Sequence, residues 1–199
     1  MVLSAEVINF KCPHCGAAVN THMEVCEFCD SPVIIKTINS VASMPMPELN
    51  KYAMAYKREL AANPDNGDLN KSIAMCYMKL KQYKQAVNYF ETSMRADFDD
   101  TSNYFYAAIC LLEGKKAFLA MRPVINQIET YINDAISIEP QGIYYYFWAY
   151  IRYDYYKRKC FNVSPNYVEC LDMAAQMGTS EYDKQLLFEM LGVERPAGF

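Results

Sequence analysis

Two residues separate Cys12 from Cys15, two separate Cys26 from Cys29, and ten lie between the pairs. A two-residue gap lets one tight turn aim both sulfurs at a single ion, and two such turns face to face complete a tetrahedron with bonds of about 2.3 Å. The pattern calls for one thiophilic ion, Zn2+, held by Cys12, Cys15, Cys26 and Cys29. Four thiolates leave no open coordination position, so the ion is read as structural. A thioredoxin-type redox site would use one such pair at a helix start inside an α/β pattern, and here two pairs sit among turn residues. His14 and His22 are the only histidines, and with four well-spaced thiols available they are read as surface residues beside the site.

The elements that must hold these thiols are turns and short strands. Gly16 follows the second thiol, where a turn often needs positive φ, and Asp30 holds the corresponding place in the second turn, as one of the few other residues that tolerate it. The β-branched run Val33-Ile34-Ile35, with Val7-Ile8 ahead of the first turn, is read as short strands pairing beneath the metal. So small a sheet has almost no core of its own. Metal binding would supply much of its folding free energy, on the order of 10 kcal/mol in small zinc modules. With its Cys12-Pro13-His14-Cys15-Gly16 knuckle, the segment over about residues 7–36 resembles the zinc-ribbon family, with a connection short enough for only a small hairpin.

Beyond Ile38 the pattern changes. Residues 40–47, rich in Pro and Met, read as a linker, which divides the chain into a ribbon at 1–39 and a helical part at 48–199. In that second part Gly and Pro are sparse and apolar residues recur at three and four positions, which specifies helices. A shift of 34 residues aligns Ala74 with Ala108, Cys76 with Cys110 and Ala86 with Ala120. From residue 67, Ile73, Ala74, Tyr77, Tyr83, Ala86 and Phe90 fall on the helix-pair signature of the tetratricopeptide repeat, which the segment over about 48–178 resembles. Glu48 to Asn63 resembles the second helix of an incomplete repeat. A unit from about Thr101 closes eight residues late at Pro140, a delay read as two added turns of its second helix, which Pro123 starts or kinks. A Tyr-rich helix follows from about Ile143, then one capped by Ser164-Pro165, then one opened by Ser180 and Asp183 and stopped by Gly192. The expected fold class is mostly α: a small N-terminal β zinc ribbon followed by an α-helical TPR-like solenoid.

The resemblance implies a groove that binds a protein or peptide partner. The family's groove-facing positions fall on Lys71, Met75 and Met78 in the first full repeat and on Phe105 and Ile109 in the second. A carboxylate clamp of the family's Lys/Asn kind is rejected, because Met75, Ser102 and Tyr106 stand where clamp residues belong. Cys76, Cys110, Cys160 and Cys170 are read as small core residues. With no histidine beyond residue 22, no phosphate loop and no nucleophile elbow, the chain is read as noncatalytic, an adaptor or scaffold. The alternative is a zinc-ribbon regulator in a transcription or replication complex. Against direct nucleic-acid contact stands a net charge of -4, with two basic and four acidic side chains in residues 1–40 and 17 against 19 beyond. The first residues show neither the basic start nor the apolar run of an export signal, and no stretch is long and apolar enough for a membrane span, so a cytoplasmic protein without membrane contact is expected.

Overall fold

In the computed structural model, which describes residues 7–199, strand among the described residues is confined to the N-terminal module. Strand β1 (Asn9–Lys11) pairs antiparallel with β2 (Ala18–Asn20), placing Phe10 opposite Val19 on the buried face. Two compact units follow from the internal contacts, one ending at Phe98 and the other running Asp99–Phe199. Readings that concern residues 1–6, the missing export signal among them, lie outside the described residues.

The first unit carries α1 (Met46–Leu60), α2 (Gly67–Lys79) and α3 (Tyr83–Ala96) behind the hairpin. Pro47 in the first turn of α1, Glu48 beside it, and Lys57 with Arg58 in the last turn suit a helix of that polarity. Leu49, Tyr52, Ala53 and Tyr56 form its buried stripe at helical spacing. Helix α2 is buried on all sides from Leu69 to Met78, because α1 packs on one flank and α3 on another. Small side chains at Ser72, Ala74 and Cys76 permit that close approach. Asn66 caps α2 by accepting from the Leu69 N–H at 2.9 Å.

Three expectations change here. The strand expected at Val7-Ile8 begins only at Asn9. The run Val33-Ile34-Ile35 forms no strand; the second cysteine turn is closed instead by an isolated bridge between Val25 and Pro32, and the three residues are buried. Their side chains are used as a wedge toward the helices, where burial outweighs β propensity. The stretch expected as a linker also packs, since a 3-10 turn at Ile38–Val41 touches α2 and buries both its ends.

The second unit holds α4 (Thr101–Leu111), α5 (Arg122–Ile138), α6 (Gly142–Ile151), α7 (Tyr167–Gln176) and α8 (Glu181–Leu191). Pro123 lies in the first turn of α5, as its fixed φ favours. The late repeat ending arises mainly in the connection, which spans ten residues (112–121) between α4 and α5 against three (80–82) between α2 and α3. The excess does not build two more helical turns because it is fixed to α6 and the π turn beyond it. Ala117 is buried with its N–H toward the Tyr150 hydroxyl at 3.4 Å, and the Phe118 N–H donates to the buried Asp154 carboxylate at 2.7 Å.

The Tyr-rich helix is a core element. Tyr144, Tyr146, Phe147 and Tyr150 are buried, and a π turn at Arg152–Tyr156 continues the run, burying Tyr155 and Tyr156. Helix α7 is capped by Asn166, which accepts from Val168 and Glu169 while Glu169 reciprocates, so the Ser164-Pro165 cap is corrected by two residues. Ser180 and Asp183 do open α8, and Gly192 ends it at φ 65°. Cys76, Cys110 and Cys170 are buried, whereas Cys160 is exposed at the left-handed end of a 3-10 turn, so its placement in the core is corrected too.

Gly142 opens α6 where an added Cβ would meet the Thr179 Oγ1 at 2.2 Å and the Ala174 carbonyl oxygen at 3.0 Å. Thr179 cannot yield freely, because its hydroxyl donates to that same carbonyl at 2.8 Å. Gly142→Ala should therefore lower stability by about 1–3 kcal/mol, read by denaturant melting; an unchanged midpoint would contradict the packing described.

Candidate metal centre

Each cysteine pair sits in a turn closed by backbone bonds. In the first, the Cys12 N–H donates to Ala17 at 2.7 Å and the Gly16 N–H to Cys12 at 3.0 Å, with Gly16 at φ 83°. In the second, the Cys26 N–H donates to Ser31 at 2.9 Å and the Asp30 N–H to Cys26 at 2.9 Å, with Asp30 at φ 54°. Both residues expected to adopt positive φ do so.

The two turns bring all four sulfurs within 4.8 Å of one another. Cys12 and Cys29 are 3.8 Å apart at sulfur, and Cys15 and Cys26 are 3.7 Å apart. A tetrahedron with bonds of about 2.3 Å has edges of about 3.8 Å. A disulfide would need about 2.05 Å. The donor set thus fits one tetrahedral thiophilic ion.

Their electrostatics point the same way. The Ser31 N–H and hydroxyl pull the Cys29 thiol down to about 6. The Ala17 N–H also favours the Cys15 thiolate, yet the Cys29 thiol, burial and the other sulfurs outweigh it and push Cys15 up to about 12. Cys26 behaves similarly, with the Phe28 N–H opposed by burial and by Cys29, and its thiol is raised. One sulfur ionises at the expense of its neighbours, as crowded acids must without a cation among them.

Helix α1 supports the module from behind. The Tyr56 hydroxyl donates to the Val33 carbonyl at 2.8 Å, Lys51 donates to the His14 carbonyl, and His14 Nδ1 meets Glu48 at 3.0 Å. The Ile35 N–H donates to the buried Ser72 hydroxyl of α2 at 2.9 Å. His14 belongs to this contact and not to the sulfur cluster, while the His22 N–H turns back on Asn20. Sequence reasoning missed Tyr52, Tyr56 and Ser72, whose only signal was polar or phenolic side chains on otherwise apolar faces.

The five residues expected to contact a partner lie on two helices. Lys71, Met75 and Met78 are on α2, and Phe105 and Ile109 on α4, all buried. Phe105 packs its ring against Tyr144 and Phe147. Burial also pushes the thiols of Cys76 and Cys170 up to about 12, which leaves them protonated and unreactive at neutral pH. A second polar cluster escaped notice: Glu129 accepts from Trp148 Nε1 at 3.2 Å and from the Tyr156 hydroxyl at 2.5 Å, and pairs with Arg152 at 3.3 Å. The spacing of Trp148, Arg152 and Tyr156 by four was the signal available.

Residues 53–109, from α1 into α4, match the tetratricopeptide repeat model. Among solved structures, one titled MamA MSR-1 C2 resembles the chain with a TM-score of 0.50 and 14% identity, over 70% of this chain and 72% of that one. No curated protein matches. The fold is mostly α, with TPR-like helical repeats behind a four-cysteine module of the zinc-ribbon kind. No helix among the described residues is long and apolar enough to cross a membrane.

A thiophilic ion must displace the protons that Cys15 and Cys26 hold, so its binding should release acid and weaken as pH falls. Cobalt(II) titrated into reduced protein, followed by thiolate-to-metal absorption and by proton release, would test this; pH-independent binding would exclude coordination by these sulfurs.

Proposed function

We propose that the chain is a noncatalytic adaptor whose TPR-like helices hold a protein or peptide partner, with one structural Zn2+ closing its N-terminal ribbon. The observation that carries the adaptor reading is the tetratricopeptide match over residues 53–109, because stacked helix pairs offer extended faces for recognition. Zinc is favoured by the donor set, since four thiolates suit a soft d10 ion and exclude magnesium or calcium on ligand type. A closed shell supports a structural role.

Lys71, Met75 and Met78 in the first unit, and Phe105 and Ile109 in the second, are the residues proposed to serve partner binding. Their burial means that they act mainly by setting the position of α2 and α4. Partner capture from the native cell by wild type should be lost in a Phe105→Ala/Ile109→Ala variant. Each substitution removes core volume at roughly 2–5 kcal/mol, so capture must be scored at a temperature where circular dichroism shows the variant still folded. An unchanged partner set in folded variant would remove these residues from the reading.

For the metal, purified native protein should carry about one zinc per chain, as the tetrahedral set allows, and Cys26→Ser should lose it. Elemental analysis reads both. Zinc retained by Cys26→Ser would reject the four-sulfur site.

A further inference from the structure

The Tyr52 hydroxyl is the least explained polar atom of the first unit. Its residue is fully buried, and its oxygen makes no hydrogen bond of ordinary geometry, the Ser31 hydroxyl being the polar group nearest to filling that place. Burying an unpaired phenol is unfavourable, and its neighbours on the same face of α1 do not share the problem. Glu48 pairs with His14, Lys51 donates to the His14 carbonyl, and Tyr56 donates to the Val33 carbonyl.

The register of the ribbon on α1 says what Tyr52 faces. Phe10 meets Tyr56, their ring centroids 6.3 Å apart, and His14 meets Glu48. Cys12 lies between Phe10 and His14 in the chain as Tyr52 lies between Tyr56 and Glu48 on the helix, so the two observed contacts bracket Cys12 and Tyr52. Cys12 is also buried, unlike the exposed Cys15. Consistently, the Cys12 and Cys29 thiols lie close enough to act on the phenol, with the Ser31 hydroxyl on the same side.

A thiol is a weak acceptor, whereas a metal-bound thiolate accepts strongly from a charge-assisted donor. We infer that Tyr52 is the outer donor for the Cys12 thiolate of the loaded site, so that metal occupancy and docking of the ribbon on α1 reinforce each other. Tyr52 is a positioning residue here. The inference rests on the metal reading above and names a residue through which the ion reaches the helices.

Tyr52→Phe separates this role from simple packing by the sign of two effects. In the zinc-loaded protein it should weaken metal retention about tenfold to a hundredfold against a chelator, the range for loss of an outer-shell partner, and shift the cobalt-thiolate absorption. In the metal-free protein the same change removes an orphan and should leave the melting temperature equal or raised. Tyr56→Phe is the control, because it breaks the bond to Val33 and should lower the melting temperature of both forms. Equal zinc affinity in wild type and Tyr52→Phe would overturn the inference alone, as would equal destabilisation of both forms. A wild-type chain that takes up no zinc would overturn the metal reading with it.

Discussion

Four sulfurs packed within 4.8 Å of one another cannot all be charged unless a cation lies among them, and the N-terminal unit is organised around that constraint. The cysteine turns use a positive φ at Gly16 and Asp30 so that backbone N–H groups and sulfurs converge. Such convergence is unfavourable in an unfolded chain, where thiols separate and hydrate. An ion bound there would couple its binding to the folding of the module.

A metal alone would not make the module an independent body. A sheet of three paired positions offers Phe10 and Val19 as interior, which is too little to exclude water. The deficit is met by Val33, Ile34 and Ile35, which lie buried with Tyr56 of α1 and Ser72 of α2 bonded to their backbone. Those two bonds satisfy a carbonyl and an N–H that would otherwise be buried without partners. They also fix the ribbon's orientation on the helices more narrowly than apolar contact would.

Whatever depended on local spacing was legible in the sequence. The two cysteine pairs, the positive-φ residues after them, the 34-residue period and the capping box at Ser180 all declare themselves within a few residues or one repeat. Most of what escaped depended on partners distant in the chain, although the Asn166–Glu169 capping box is local and was passed over for Ser164-Pro165. Val33-Ile34-Ile35 has the composition of a strand, and only the presence of α1 and α2 turns it into a wedge. The delay before α5 looked like added helix until Tyr150 and Asp154, more than 30 residues on, proved to bind Ala117 and Phe118. Cys160 resembles its buried counterparts in type, but the turn after Tyr156 leaves it in solvent. The buried positions of Lys71 and Met75 follow from α2 being enclosed on all sides, which a helical period cannot reveal.

The ribbon has a further structural meaning for the helices it touches. Helix α1 buries a stripe of Leu49, Tyr52, Ala53 and Tyr56, and Tyr56 of that stripe is bonded to the ribbon. Helical arrays need a terminal element that ends the apolar face in something polar. The ribbon supplies one: its inner face covers Tyr52 and Tyr56, while Cys15, Phe28 and the charged residues around them face solvent. A module stabilised by a metal can serve as that cap with about 30 residues and little core of its own, whereas a helix in the same place would need its own apolar stripe and capping residues. A metal holding the ribbon in place would contribute to the first repeat as well, because uncovering α1 would expose Tyr52 and Tyr56, which the ribbon keeps dry.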